Sequence, residues 1–369
     1  MGALRYFLIA GEPSGDRLGA ALMQGLRALR PEVEFSGIGG PLMQAEGLVS
    51  LFAMDELSIM GIAEVLPKYR HLKRRIREAA AAALFCNPAA LITIDSPDFC
   101  LRVAAIVKAA RPDLRTIHYV APSVWAWRPK RAAKMAQVID HVLALLPFEP
   151  PLMQAAGMSC DFVGHPVVSE PLAEAVKTGE GPLILALPGS RKGEVRRLAP
   201  VISEVLARIK AVHPQARVAL PTLHSIEPLV RELSATWPIP PDIITDAAQK
   251  RAAFAAADVA LAASGTVSLE LAANNCPMVI AYDMHPLTLW LMRRAALIDT
   301  VTLVNLVSET RVVPEFIGAN CRADLIAPAL LGLLDNPHSQ EAAMRLTMQR
   351  LGQGGEPPGL RAAKSVLSV

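Results

Sequence analysis

Leu185-Ala186-Leu187-Pro188-Gly189-Ser190-Arg191 lies near the middle of the 369-residue chain, and the rest of the sequence is read outward from it. The apolar run from Pro182 to Leu187 predicts a buried strand, and Pro188-Gly189-Ser190 predicts a turn into a helix starting near Glu194. Such a junction points backbone N–H groups and the positive end of a helix dipole at the same spot, so it suits an anion. Arg191 adds a cation. A second turn of this kind, Ala263-Ser264-Gly265-Thr266, precedes a helix that carries Glu270 one turn in. A carboxylate there is within reach of a ribose diol when the phosphates sit on the turn; spacing alone also allows an exposed helix Glu. Together the two turns read as halves of one nucleotide-diphosphate site.

Upstream, Arg5–Ala10 predicts a strand, followed by Gly11-Glu12-Pro13-Ser14-Gly15-Asp16 and a helix with Leu18, Leu22, Leu26 and Leu29 at helical spacing. Ser14 or Asp16 is placed to cap that helix. Val33 to Ile38 predicts the next strand, ending in Gly39-Gly40, where the lack of a Cβ lets backbone approach a ligand. Further strands are expected at 90–94, 116–120 and 142–145, and in the second half at 217–220, 242–245, 258–262, 277–281 and 301–304. Asp95 follows the 90–94 strand, at the end where open α/β sheets place their ligands. Asn305 follows the 301–304 strand and is expected to face the cleft. The pattern predicts an α/β protein of two doubly wound, Rossmann-like domains facing a cleft. The expected boundaries are 1–166 and 167–345, with 346–369 packing back on the first domain or on a partner.

Two segments stand apart. Between 55 and 77, Gly61 and Pro67 are expected to interrupt any single long helix, while Met60, Ile62, Val65, Leu66, Tyr69 and Leu72 lie beside Lys68, Arg70, Lys73, Arg74, Arg75 and Arg77. This is either an amphipathic core helix with a solvated basic face or a membrane-surface segment. Trp125 and Trp127 accompany Arg128, Lys130 and Arg131 and point the same way if that segment is extended. His165 is an acid–base candidate or a turn histidine.

Apolar residues make up 52 % of the chain and the net charge is only +3, so a folded globular protein is expected. No apolar run is long enough for a membrane span, and the residues ahead of the first strand lack the pattern of a signal peptide, so none is expected. The five cysteines follow no paired or metal-ligand spacing and read as reduced thiols. No metal set surrounds Asp95, and neither metal nor cofactor is expected. A dinucleotide fingerprint and a P-loop are both missing.

Taken in order, the stretches AGEPSGD (10–16), GIGGPLMQAEG (37–47), LSIMGIAEVLP (57–67), IDSPDF (94–99), IHYVAPSVWAWRPKR (117–131), LPFE (146–149), VGHP (163–166), LPGSR (187–191), ASGTVSLE (263–270) and CPMVIAY (276–282) resemble the lipid-A-disaccharide synthase family, inverting glycosyltransferases of GT-B type. The resemblance implies transfer of diacylglucosamine from its UDP donor to diacylglucosamine 1-phosphate, giving a β-1,6 disaccharide without a metal. It also implies that Asp95 and Glu12 are catalytic, and that Gly189, Ser190, Arg191, Ser264, Gly265, Thr266, Glu270 and Asn305 hold the donor. Ser14, Gly39, Gly40, Met60, Ile62, Val65, Leu66, Tyr69, Leu72, Trp125 and Trp127 would meet the acceptor or the membrane. The partners expected are the two lipid substrates and an anionic membrane surface on the cytoplasmic face, with no nucleic acid; a homodimer is left open, since some relatives exchange C-terminal segments. A sugar-nucleotide epimerase of the same fold and a non-catalytic nucleotide-binding membrane scaffold are the alternatives.

Overall fold

The computed structural model describes residues 4–57, 62–177, 179–284, 290, 292 and 294–369, with the side chains of 62–69 excepted. The chain divides into two compact units, Met1–Ser169 with Gly354–Val369, and Glu170–Gln353.

In the first unit, β1 (Arg5–Ala10), α1 (Pro13–Leu29), β2 (Glu34–Ile38), α2 (Pro41–Ala45), β3 (Val49–Ser50), α3 (Ile62–Cys86), β4 (Ala90–Ile94), α4 (Pro97–Ala110), β5 (Arg115–Tyr119), α5 (Lys130–Met135), β6 (His141–Ala144), α6 (Pro150–Ala155) and β7 (Ser159–Phe162) succeed one another. The strands form one parallel sheet in the order β3-β2-β1-β4-β5-β6-β7. Its central strands are apolar on both faces, as a sheet covered on both sides requires. Phe7, Ile9 and Leu91 pack on one side with Val103 and Val107 of α4. Leu8, Ile92 and Ile94 pack on the other with Leu22, Met23 and Leu26 of α1.

In the second unit, β8 (Leu183–Leu187), α7 (Lys192–Val212), β9 (Arg217–Pro221), α8 (Glu227–Ser234), β10 (Pro241–Ile244), α9 (Ala247–Ala256), β11 (Val259–Ala262), α10 (Val267–Ala273), β12 (Met278–Tyr282), α11 (Leu303–Ser308), β13 (Glu315–Ile317), α12 (Ala323–Asp335) and α13 (Glu341–Arg350) follow. The parallel order is β10-β9-β8-β11-β12-β13. Each sheet reverses its strand order once, between β1 and β4 and between β8 and β11. Those are the two positions where crossovers depart in opposite directions and leave a crevice at the carboxyl ends of the strands.

Several expectations are corrected. Residues 303–308 are helical, and the sixth strand is β13. Val304, Asn305, Val307 and Ser308 are the buried face of α11, and a short apolar run cannot by its pattern be told from a strand. Pro67 does not stop α3, which runs on to Cys86, although as the sixth residue of the helix it lies beyond the first turn and forfeits one backbone hydrogen bond. Residues 346–353 stay with the second unit, where Met344, Met348 and Leu351 are buried. Only α14 (Pro358–Ser368) returns to the first unit. It lies so close to α1 that a Cβ on Gly25 would come within 2.5 Å of the Gly359 carbonyl oxygen. The buried His141 Nε2 meets Ser365 Oγ at 2.8 Å, which fixes its far end.

Candidate active site

At the β1/β4 reversal the chain ends of two strands are pressed together. A Cβ on Gly11 would fall 2.5 Å from Ser96 Oγ, so only glycine fits there. The turn after β4 is held in an unusual shape, with Asp95 and Ser96 both in the left-handed region at φ 51° and 42°. Two consecutive non-glycine residues there are strained, and strain of this kind collects at functional sites. Asp95 Oδ1 accepts a hydrogen bond from Ser96 N at 2.9 Å. The Glu12 carboxyl, from the turn after β1, lies close enough to act on it. Burial first, and the Glu12 carboxyl second, push Asp95 up from 3.8 to about 7.

Two other parts of this end of the sheet are built around buried acids, Asp16 and Glu149. Asp16 is 2 % exposed and does not cap α1. Its carboxylate instead accepts from Gly40 N at 2.9 Å, and from Leu42 N and Met43 N at 3.0 Å each, so it fixes the Gly39-Gly40 turn and the start of α2. Gly40 is obligatory, because a Cβ would meet Asp16 Oδ2 at 2.5 Å. Ser14, in the first turn of α1, is exposed and makes no cap. Glu149 is buried and raised to about 7 by that burial, while accepting from Leu146 N at 2.9 Å and Trp125 Nε1 at 3.2 Å. Sequence reasoning gave Glu149 no role. Its only signal was an acid in the LPFE stretch directly after a strand. Trp125 and Trp127 lie in a turn rather than an extended segment. Trp125 packs edge-on to Phe148 with ring centroids 5.4 Å apart, and the Arg128 guanidinium sits 4.1 Å over the Trp127 ring. His165 is a turn histidine: its Nδ1 accepts from Val167 N at 3.2 Å, and burial lowers it to about 4.

Met60 lies outside the described residues, as do the side chains of Ile62, Val65, Leu66 and Tyr69. Leu72 is half-buried against the core of the first unit rather than fully outward. Arg70, Lys73, Arg74 and Arg77 are exposed and fall along one face of α3, at three- and four-residue spacing. On the inner side, Arg75 bonds Glu56 at 2.7 Å and Glu78 at 2.8 Å.

At the β8/β11 reversal the two small-residue turns line a cavity of about 490 Å³ with Thr222, Lys250, Phe254 and Glu270. It contains all the expected donor residues except Asn305. Gly189 has φ 108°, and a Cβ on it would meet Glu194 Oε2 at 2.5 Å. Glu194 ties the turn together, accepting from Ser190 N and Arg191 N at 3.2 and 3.3 Å and from Arg191 Nη1 at 3.1 Å. Glu270 is paired with Lys250, Nζ to Oε2 at 2.5 Å. Asn305 is 1 % exposed and is corrected to a scaffold role. Its amide donates to Thr300 Oγ1 and the Val313 carbonyl oxygen and accepts from Val313 N at 3.0 Å, which joins α11 to the approach to β13.

The lipid-A-disaccharide synthetase family model matches residues 6–365. A lipid-A-disaccharide synthase from Ruegeria pomeroyi is 61 % identical, the alignment covering 99 % of this chain and 95 % of the relative. Another from Rhodospirillum centenum is 44 % identical over 100 % and 95 %. Among solved structures, the calicheamicin glycosyltransferase CalG4 superposes with TM-score 0.63 at 17 % identity, covering 100 % of this chain and 98 % of that one. A putative UDP-N-acetylglucosamine 2-epimerase from Listeria monocytogenes gives 0.67 at 14 %, over 100 % and 95 %. At these identities the structural likeness shows the fold alone, and that fold is shared by glycosyltransferases and epimerases. The sequence matches span both reversal points, the acid pair at one and the small-residue cavity at the other, and on them the chain belongs to the lipid-A-disaccharide synthetase family, glycosyltransferases of lipid A biosynthesis.

Proposed function

We propose that the protein joins UDP-2,3-diacylglucosamine to 2,3-diacylglucosamine 1-phosphate, forming a β-1,6 disaccharide 1-phosphate and UDP with inversion. The observation that carries this reading is Asp95, a carboxyl raised to about 7 beside Glu12 at the reversal of the first sheet. A base of that strength is half ionised near neutral pH and well matched to taking a hydroxyl proton. The acceptor hydroxyl oxygen attacks the donor anomeric carbon and its proton goes to Asp95. The bond from that carbon to the diphosphate oxygen breaks on the opposite face, and UDP leaves with the electron pair. The Arg191 guanidinium, only one nitrogen of which is engaged by Glu194, and the backbone N–H groups of the 264–266 turn meet the charge that develops on the leaving group, so this account needs no divalent ion. Glu270 accepts from the ribose.

The acyl chains call for a lipid surface, and the exposed basic face of α3 supplies attraction to an anionic one. Among the described residues no helix is long and apolar enough to cross a membrane, so contact by a surface segment is the arrangement proposed. The test is UDP release from UDP-diacylglucosamine in mixed micelles containing EDTA, with and without diacylglucosamine 1-phosphate. Release that depends on the acceptor and persists in EDTA is expected. Release without acceptor would point to hydrolysis, no release to a binding protein, and loss in EDTA would contradict the metal-free account.

A further inference from the structure

Lys250 belongs to no motif singled out in the sequence, yet it stands on the wall of the nucleotide cavity. It lies on the first turn of α9, whose start is fixed by the Asp246 carboxylate accepting from Gln249 N at 2.8 Å. Its Nζ is 2.5 Å from Glu270 Oε2 and 5.1 Å from the centre of the Phe254 ring. All three side chains line the cavity together with the 189–191 and 264–266 turns. Among the described residues, Glu270 Oε1 has no hydrogen-bond partner.

We infer that Lys250 is a positioning residue for nucleotide recognition: it holds one oxygen of Glu270 so that the other is free to accept from a ribose hydroxyl. This rests on the ribose role proposed for Glu270. Without the Lys250 contact the Glu270 side chain would sample several rotamers on the cavity wall. The contact with the Lys250 ammonium fixes one rotamer. Phe254 backs the ammonium through its ring face. A lysine engaged this way acts on the hydroxyl-reading carboxylate, not on the phosphates. Its loss therefore alters the preference for ribose over deoxyribose and leaves the affinity common to both.

The two roles separate in calorimetric titrations with UDP, 2′-deoxy-UDP and 3′-deoxy-UDP. Wild-type protein is expected to prefer UDP over at least one deoxy analogue by about tenfold or more, the worth of a hydrogen bond to a charged group. Lys250→Met should weaken UDP to the level of that analogue while leaving the analogue itself within about twofold, and Lys250→Arg should keep the preference. Lys250→Gln repeats the measurement should the Met variant misfold. Equal weakening of all three nucleotides, or an intact preference, would overturn the inference and leave the role of Glu270 standing. A wild type without preference, together with unchanged UDP binding in Glu270→Ala, would remove the ribose role itself and the inference with it.

Discussion

Asp95 is the residue at which sequence, strain and electrostatics meet. Its carboxyl titrates near 7 instead of 3.8, so folding favours the neutral form. The sign follows: the folded state carries no penalty at pH below the ordinary carboxylate value, and the penalty grows as pH rises from there and is complete above 7. Catalysis has the opposite demand, because a base must be ionised. The kcat/KM profile is therefore expected to rise with pH through a limb near 7. Replacing the neighbouring acid in Glu12→Gln should move that limb to lower pH, and a limb that stays in place would separate Asp95 from Glu12. Asp95 was legible in the sequence, as an acid directly after an apolar strand. Its pairing with Glu12 could not be derived from local pattern, since only the strand order β1-β4 brings the two turns together. The partners of Asp16 and Glu149 escaped for a like reason: Asp16 is held by backbone amides of a distant turn, and Glu149 by the distant Trp125 ring nitrogen besides the nearby Leu146 N. Asn305 shows the reverse error. A polar residue after an apolar run suggested a ligand contact, and three internal hydrogen bonds occupy it instead.

Elements were legible where their signal was long. The strands flanking both reversal points, β1, β4, β8 and β11, are mainly apolar runs ended by Gly11, Asp95, Pro188 and the Ala263-Ser264-Gly265 turn, and each was read within a residue or so. The two-residue β3 and the half-exposed edge strand β7 offered too few apolar positions to stand out. The basic face of α3 belongs to this scale. Arg70, Lys73, Arg74 and Arg77 are exposed on one side of the helix, while Arg75 is spent on Glu56 and Glu78. A cation near an anionic bilayer contributes about 1 kcal/mol, so changing all four to Gln should weaken binding to anionic vesicles roughly a hundredfold or more and strengthen with it the dependence on added detergent. Since Arg75 and Ile76 are untouched, the helix should keep its packing. Vesicle flotation equal to wild type would remove this face from the membrane account.

At the scale of the whole molecule, two sheets of the same topology have specialised at the same point. Each reverses its strand order once, and each places its distinctive chemistry there: an acid pair in the first unit, a cavity with small-residue turns and two acid–base pairs in the second. The α/β class and the two-domain plan follow from alternating strand and helix patterns. The limits of the C-terminal return did not, because the buried face of α13 and that of α14 look alike in sequence and only their partners differ. The central claim is a division of labour, with proton removal in one unit and nucleotide binding in the other. Its most direct test is Asp95→Asn, measured for acceptor-dependent turnover and for UDP affinity in the same preparation. Turnover should fall by about 10²- to 10⁴-fold, the usual worth of a general base, while the Kd for UDP stays within about twofold of wild type. Near-normal turnover, or a loss of UDP binding in step with turnover, would contradict it.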